Sequence, residues 1–407
     1  MDVNRVVMGR EGGVMRRAMA VLALVAFNFS SSPALAIELE PTQSCQLTAP
    51  SCVPKKFLKQ AGSKSLADPA ILVLDPTDRS ELHWNRPDSP SIPASVLKIL
   101  TSFTALTYLG GSRQFVTSVH TIESSTSLVI IGQKDPWLTM YRSVSAKYGP
   151  AYAPDLILKN LPKDELKEGK RIKREIFYSG LYPSDLAGLT AILKERNVRL
   201  TFTPVTKSQA ELLAFEQTYQ ILSPSVNEMV KFAVLFSDNR LSQRLAEHAA
   251  LAHGYKKNVK GLQQTFQDAL LSKTIGIDGL VIRDGSGLSK ENRVTARTVV
   301  SLLTAIRNLP EYAAIYEGLP KSGKTGTLKT RYKKTAPEAV GLIRAKTGWV
   351  NGTVSLAGYI TAGEKELVFA VLADRIPRYY SATERARSSI DRMVASLAAP
   401  KLETTSN

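Results

Sequence analysis

Ser95 and Lys98 stand three residues apart in Pro93-Ala94-Ser95-Val96-Leu97-Lys98. Apolar residues follow at helical spacing (Ile99, Leu100, Phe103, Leu106, Leu109), and Gly110-Gly111 supplies a stop signal. On a helix, positions i and i+3 share a face, so an amine reaches the hydroxyl one turn before it. A serine hydroxyl is a weak nucleophile until a base takes its proton. Lysine acts as that base only when burial or a second cation lowers its pKa. The pair alone is weak evidence, because short motifs of this kind arise by chance and then mark an ordinary amphipathic helix.

Two Lys-Thr-Gly triplets offer a second cation. The first, Lys324-Thr325-Gly326, belongs to Gly318 to Thr325, a full match to the phosphate-binding pattern G-x-x-x-x-G-K-[ST]. That pattern needs a strand before it and a helix opening at its end. Here a basic run from Lys329 to Lys334 follows without apolar periodicity, which argues against nucleotide binding. The second, Lys346-Thr347-Gly348, ends an apolar strand from Val340 to Thr347. It places a cation and a hydroxyl at a strand end, with a glycine to let substrate approach the backbone. Between helices at Ser225 to Phe236 and Arg240 to His253, Ser237-Asp238-Asn239 sits in a tight connection with its polar side chains free to face a cleft. His83, His120, His248 and His253 are scattered, so neither a Ser-His-Asp triad nor a metal site has support.

The elements that must position these groups lie at both ends of the chain. Ala70 to Asp75 and Glu81 to Asn85 read as strands, as do Val340 to Thr347, Thr353 to Thr361 and Glu366 to Asp374. Helices are expected at Thr295 to Ile306 and Ala382 to Ala398, so one sheet assembled from both termini is expected, flanked by helices. Between 112 and 222 the pattern gives a strand at Ser127 to Gly132, helices at 155–161 and 184–196, and a charged, solvated run from Lys163 to Arg174. A glycine-rich turn spans Asp284 to Ser289.

At 407 residues, 43% hydrophobic and 22% charged, the chain can bury a real core. Met15-Arg16-Arg17, an apolar run from Ala18 to Phe29 and Ala34-Leu35-Ala36 make a secretory signal peptide over 1–36, with Met15 an alternative start. The run is too short to span a bilayer. In an exported protein Cys45 and Cys52 read as a small disulfide, with two free thiols the alternative. The net charge is +17; residues 1–36 carry four Arg against one Asp and one Glu, leaving +15 after cleavage. An exported basic protein meets anionic wall polymers or lipid head groups, and export argues against nucleic acid. Residues 401–407 are expected to form a disordered tail.

Ser95-x-x-Lys98, Ser237-Asp238-Asn239 and Lys346-Thr347-Gly348 occur in the order that marks penicillin-binding proteins and class A β-lactamases. With Ile131-Gly132-x-x-Asp135-Pro136, the stretch from Asp284 to Thr295, and Leu356-Ala357-Gly358-Tyr359, the chain resembles the D-alanyl-D-alanine carboxypeptidase/endopeptidase family of class C low-molecular-mass penicillin-binding proteins over roughly residues 65–375. Gly326-Thr327-Leu328 corresponds to the family's D-G-T-L, which makes the first triplet a coincidence.

The resemblance implies an α/β penicillin-binding-protein (serine β-lactamase-like) fold over residues 37–400, with 121–222 a reduced form of the family's insertion. It implies Ser95 as nucleophile, Lys98 as base, Ser237 as proton relay and Asn239 as the group orienting a substrate amide. Lys346 would supply positive potential, Thr347 would bind a terminal carboxylate, and the N–H groups of Ser95 and Trp349 would form an oxyanion hole beside Gly348. Peptidoglycan stem peptides are the implied substrate and β-lactams the covalent inhibitors; no metal or organic cofactor is implied. Trp349 departs from the Thr or Ser usual after K-T-G. Two rivals remain: a serine β-lactamase, although Glu-x-x-Leu-Asn is absent after Asn239, and a non-catalytic basic wall-binding protein.

Overall fold

Strands covered on both faces need apolar side chains at nearly every position, whereas half-exposed strands alternate. Both kinds occur in the computed structural model, which describes residues 53–167 and 171–400. The expected signal peptide, the Cys45 and Cys52 pair and the 401–407 tail lie outside the described residues. Ten strands are found among the described residues: β1 (Ala70–Asp75), β2 (Ser80–Asn85), β3 (Val116–Thr121), β4 (Leu128–Gly132), β5 (Ile172–Ser179), β6 (Val198–Pro204), β7 (Gln217–Leu222), β8 (Ile343–Val350), β9 (Thr353–Ala362) and β10 (Lys365–Ala373). The helices longer than ten residues are α1 (Leu97–Leu109), α2 (Pro183–Lys194), α3 (Val226–Phe236), α4 (Asn239–Ala252), α5 (Val259–Leu271), α6 (Ala296–Ile306) and α7 (Tyr380–Ala395).

The first sheet has the order β2-β1-β10-β9-β8 and is antiparallel throughout, so it is built from both ends of the chain as expected. Its alternate residues serve two cores. Ala70, Leu72, Ala357, Tyr359 and Leu372 pack with α1, α3, α4, α5 and α6. Ile71, Val73, Ile343, Leu356 and Phe369 pack against α7 and Phe57 of the short helix Lys55–Ala61. This is why AILVLD and KELVFAVLA read as almost unbroken apolar runs. β8 is one edge of the sheet, and its first half is paired on the outer side: Ala345 N–H donates to the Pro320 carbonyl (3.0 Å) and Ser322 N–H to that of Ile343 (2.9 Å). β8 begins at Ile343 and runs to Val350, so Lys346-Thr347-Gly348 lies inside the strand and not at its end.

The second sheet, β6-β5-β4-β3-β7, is mixed, with β4, β5 and β6 parallel and β3 antiparallel to both its neighbours. It has its own core, in which Ile130, Ile176 and Val198 meet Leu189 and Leu193 of α2. Here the sequence expectation needs correction. Lys163 to Arg174 is not one solvated run: a helical turn spans Lys163–Lys167, and β5 starts at Ile172. Charged residues on the exposed face of β5 hide Ile172 and Ile176, which are buried. α5 was also absent from the expected elements.

The second sheet is tied to α4 through a buried cation. Arg244, 4% exposed, donates to Asp185 Oδ1 (2.9 Å) and Ser184 Oγ (2.8 Å) at the start of α2, and to the Pro136 carbonyl (3.2 Å) after β4. Its guanidinium lies 3.8 Å from the Tyr182 ring centre. Beside it burial pushes the Asp135 carboxyl up to about 7; the Trp137 N–H pulls the other way, Asp185 adds to the rise, and Arg244 opposes it. Removing one member of a buried pair leaves the other charge uncompensated. Arg244→Ala is therefore expected to cost about 3–5 kcal/mol. Arg240, 48% exposed and 3.5 Å from the same carboxylate, is expected to cost under about 1 kcal/mol when replaced by Ala. Thermal unfolding of the two variants checks this, and equal shifts would refute the anchoring role of Arg244.

Candidate active site

Ser95 sits in a single 3-10 turn, Ala94–Val96, that runs directly into α1. Ala94 takes φ +46°, a left-handed conformation that costs a non-glycine residue roughly 1 kcal/mol or more. Close packing on both sides holds it there. Gly348 of β8 faces the turn: a Cβ on it would lie 2.0 Å from Ser355 Oγ and 2.7 Å from the Pro93 carbonyl. Ser355 Oγ donates to that same carbonyl at 2.6 Å. Gly348 thus lets the Ser95 turn approach the strand, a different use from the substrate approach expected for it. On the opposite side, Gly287 has φ +84°, and a Cβ there would lie 2.0 Å from the Ala94 carbonyl.

Lys98 is fully buried. Its Nζ donates to Asn239 Oδ1 (2.7 Å) and to the Ser286 carbonyl (2.5 Å), and lies 3.0 Å from Ser95 Oγ. An ammonium has three N–H bonds, and these three oxygens use them all. Two of the partners are carbonyl oxygens that can only accept. When Lys98 loses a proton, its lone pair therefore has one useful neighbour, the Ser95 hydroxyl. Burial lowers the Lys98 pKa from 10.5 to about 8, against the opposing pull of Asp284 and Asp238.

The Ser286 carbonyl is held by the glycine-rich turn. Asp284 Oδ1 accepts from the N–H of Ser286 (2.7 Å) and Gly287 (2.6 Å) and from the Ser286 hydroxyl (2.8 Å); Oδ2 accepts from Ser289 N–H (2.6 Å). Burial would raise this carboxyl's pKa, but the bonds from Ser289, Ser286 and Gly287 outweigh it and hold it below the ordinary range. The sequence identified this turn without assigning it a duty; the D-G-S-G spacing was the available signal.

Lys346 is fully buried too, opposite Ala357 on the helix-facing side of the sheet. Its Nζ donates to the Thr347 carbonyl at 2.8 Å, and no carboxylate pairs with it among the described residues. Burial, with the Lys98 charge nearby, pushes its pKa well below the usual lysine range. An anion arriving here would reverse that shift. Thr347 and Trp349 point to the other face. Thr347 Oγ1 shares a hydrogen bond of 2.7 Å with Thr327 Oγ1, and Trp349 is 54% exposed. Thr327, in the Gly326-Thr327-Leu328 stretch, is a site neighbour that the sequence expectation did not include.

Ser237 occupies a left-handed position (φ +59°) ending α3, and among the described residues no hydrogen bond joins its hydroxyl to Lys98 or Ser95. Asp238 is not free to face a cleft: its side chain caps α4 by accepting from Leu241 N–H at 2.8 Å. Asn239 already gives its side-chain oxygen to Lys98. Lys324 lies exposed in a turn after the helix Ala313–Gly318, with no strand before it and only a 3-10 turn, Gly326–Leu328, after it. That arrangement lacks the strand and helix a phosphate loop needs.

A serine paired to a buried lysine between an antiparallel sheet and a helical cluster defines a serine acyl-transfer enzyme of the penicillin-binding-protein class. Comparison with known proteins takes this further. The D-Ala-D-Ala carboxypeptidase 3 (S13) family matches residues 56–161 and 189–398, and the chain belongs to that family. It is accordingly a serine-type D-Ala-D-Ala peptidase, a hydrolase. Carboxypeptidase DacB of Mycolicibacterium smegmatis is 26% identical over 94% of this chain and 95% of its own length. A D-alanyl-D-alanine carboxypeptidase of Actinomadura sp. is 33% identical, but the match covers 43% of this chain and 32% of that protein. The crystal structure of penicillin binding protein 4 (dacB) from Haemophilus influenzae superposes with a TM-score of 0.65 at 14% identity, covering 84% of this chain and 98% of that one. A second structure of it holds a novel β-lactam.

Lys98 is competent as a base only when neutral. With its pKa at about 8, the neutral fraction rises about tenfold per pH unit below that value and levels off above it. Acylation of Ser95 by a slow penicillin is expected to follow the same curve, and Lys98→Arg, protonated throughout, to abolish it. Rates measured from roughly pH 6 to pH 9 check this; a rate that falls as pH rises through the window would place the base elsewhere.

Proposed function

We propose that this serine peptidase acts on peptidoglycan stem peptides, cleaving D-Ala-D-Ala termini and D-Ala cross-links through an acyl-Ser95 intermediate. The observation that carries the reading is the 3.0 Å approach of a buried Lys98 amine to Ser95 Oγ, with its other two partners unable to give a proton. Lys98 takes the hydroxyl proton as Oγ attacks the carbonyl of the penultimate D-alanine. The backbone N–H groups of Ser95 and Trp349 receive the oxyanion. The proton passes to the leaving amine with Ser237 as relay, and Asn239 orients the substrate amide once Lys98 releases its oxygen. Thr347, with Thr327 beside it, hydrogen-bonds the terminal carboxylate, and Lys346 supplies positive potential. Water then cleaves the ester with Lys98 again as base, and the serine is restored. Residues 121–222 are read as a reduced form of an insertion characteristic of this family.

The protein works outside the cytoplasm in this reading. The signal-like segment at 1–36 and the basic chain, +17 overall, support export to an anionic wall. Among the described residues no helix is long and apolar enough to cross a membrane. β-Lactams are expected to acylate Ser95, a proposal supported by the family and by the β-lactam complex of the Haemophilus protein.

Labelled penicillin tests the chemistry. A long-lived adduct that maps to Ser95 and is absent from Ser95→Ala is expected; rapid loss of the adduct would mark a β-lactamase, and no adduct a binding protein. Trp349 supplies an N–H but not the hydroxyl usual at its position. A hydrogen bond to a charged group contributes roughly 1.5–3 kcal/mol, so Trp349→Thr is expected to raise turnover of a free D-Ala-D-Ala tripeptide by roughly 10- to 100-fold. An unchanged tripeptide rate would show that the missing hydroxyl is not limiting.

A further inference from the structure

A cavity of about 670 Å³ opens beside Thr327, Thr347 and Trp349, between the loop 330–335 and the outer face of α7. A terminal D-alanine presents a methyl group and a carboxylate, and a space of this size is in the range that holds a whole small ligand, about 300–1,000 Å³. The walls are unevenly charged. Arg331 is spent on Asp391 (2.6 and 3.2 Å), and Arg387 on Glu384 (2.5 Å) while also lying 5.7 Å from the Trp349 ring centre. Lys333 and Lys334 are exposed and have no ion-pair partner among the described residues. The Thr335 hydroxyl is buried without a hydrogen-bond partner, and the Tyr332 side chain, 1% exposed, stands beside Asp391. Orphaned buried hydroxyls are uncommon and call for a partner.

We propose that this cavity is a subsite for the leaving strand of a cross-link: a second, acidic stem peptide attached through the amine that departs. The inference rests on the reading that Thr347 and Thr327 hold the carboxylate beyond the scissile bond. The cavity begins at those two threonines, so whatever is joined to the carboxylate-bearing residue enters it. A stem peptide is anionic, and the exposed, uncompensated pair Lys333 and Lys334 matches it in charge. The exposed indole of Trp349 forms the threshold and lies against the leaving residue. In the reaction the D-alanyl carbonyl–nitrogen bond breaks and the carbonyl joins Ser95 Oγ. The serine proton goes to the departing amine, and the cavity releases the second peptide before water enters.

The test uses the full chain and a soluble cross-linked muropeptide dimer. Lys333→Glu/Lys334→Glu is expected to raise KM for the dimer about tenfold while leaving kcat for the dimer and kcat/KM for a free D-Ala-D-Ala tripeptide unchanged. The charge-matched control Lys324→Glu/Lys329→Glu, outside the cavity, is expected to leave all three unchanged. Equal loss on dimer and tripeptide, equal loss in the control, or no loss at all overturns the subsite. Binding separates this from the catalytic reading. The Ser95→Ala protein is expected to bind the dimer, more weakly as salt rises, and to lose that binding when the Lys333→Glu/Lys334→Glu changes are added. Such loss, together with a failure of the parent chain with Ser95 intact to form a penicillin adduct, would reject the acyl-serine chemistry and keep the subsite. Binding that ignores the two lysines rejects the subsite whatever the chemistry does.

Discussion

Everything around Ser95 depends on one amine kept out of water. A lysine in solvent is a cation and no base at all near neutral pH; Lys98 becomes one because it has no exposed surface. Burial alone would leave three N–H bonds without partners, so the fold must bring acceptors to it from separate segments. Asn239 comes from the start of α4, the Ser286 carbonyl from the glycine-rich turn, and Ser95 from the turn before α1. Each segment is fixed locally first: Asp238 caps α4, Asp284 collects the turn's donors, and Gly287 and Gly348 let the strained Ala94 turn sit between loop and strand.

The second buried lysine gives the site a place where an anion would be stabilised. Burial and the nearby Lys98 charge both depress Lys346, and no carboxylate pairs with its amine among the described residues. Without a ligand Lys346 is best satisfied by giving up its proton. A carboxylate beside Lys346 restores its charge, so binding of an anion there is coupled to the protonation of a buried amine rather than to a moving part.

The catalytic frame was legible in the sequence because its elements carry strong patterns. The apolar runs of β1, β9 and β10 are covered on both faces, and α1, α3 and α4 have clean helical spacing. Three short motifs on such elements were enough to bring Ser95, Lys98, Asn239 and Lys346 together. The second sheet was less legible, since β5 mixes Lys173, Arg174 and Glu175 with its buried isoleucines and its parallel neighbours share no hairpin turn. The alternation Val198, Leu200, Phe202 in β6 was a usable signal that the surrounding charge obscured. Backbone atoms were invisible as well: no residue type announces that the Ser286 carbonyl will hold a lysine, or that Gly348 serves a turn from the far end of the chain.

A sheet edge is a standing invitation to other strands, and folds usually blunt it. In β8 the first half is already occupied by Pro320 and Ser322, so the unpaired main chain is confined to the few residues from Lys346 to Val350. A stretch that short can pair with a brief extended peptide, but it gives a long foreign strand too few bonds to hold. The pairing of Pro320 and Ser322 therefore guards this edge against joining a second copy's strand into an aggregate, and it does so while leaving open the part of the edge next to Ser95.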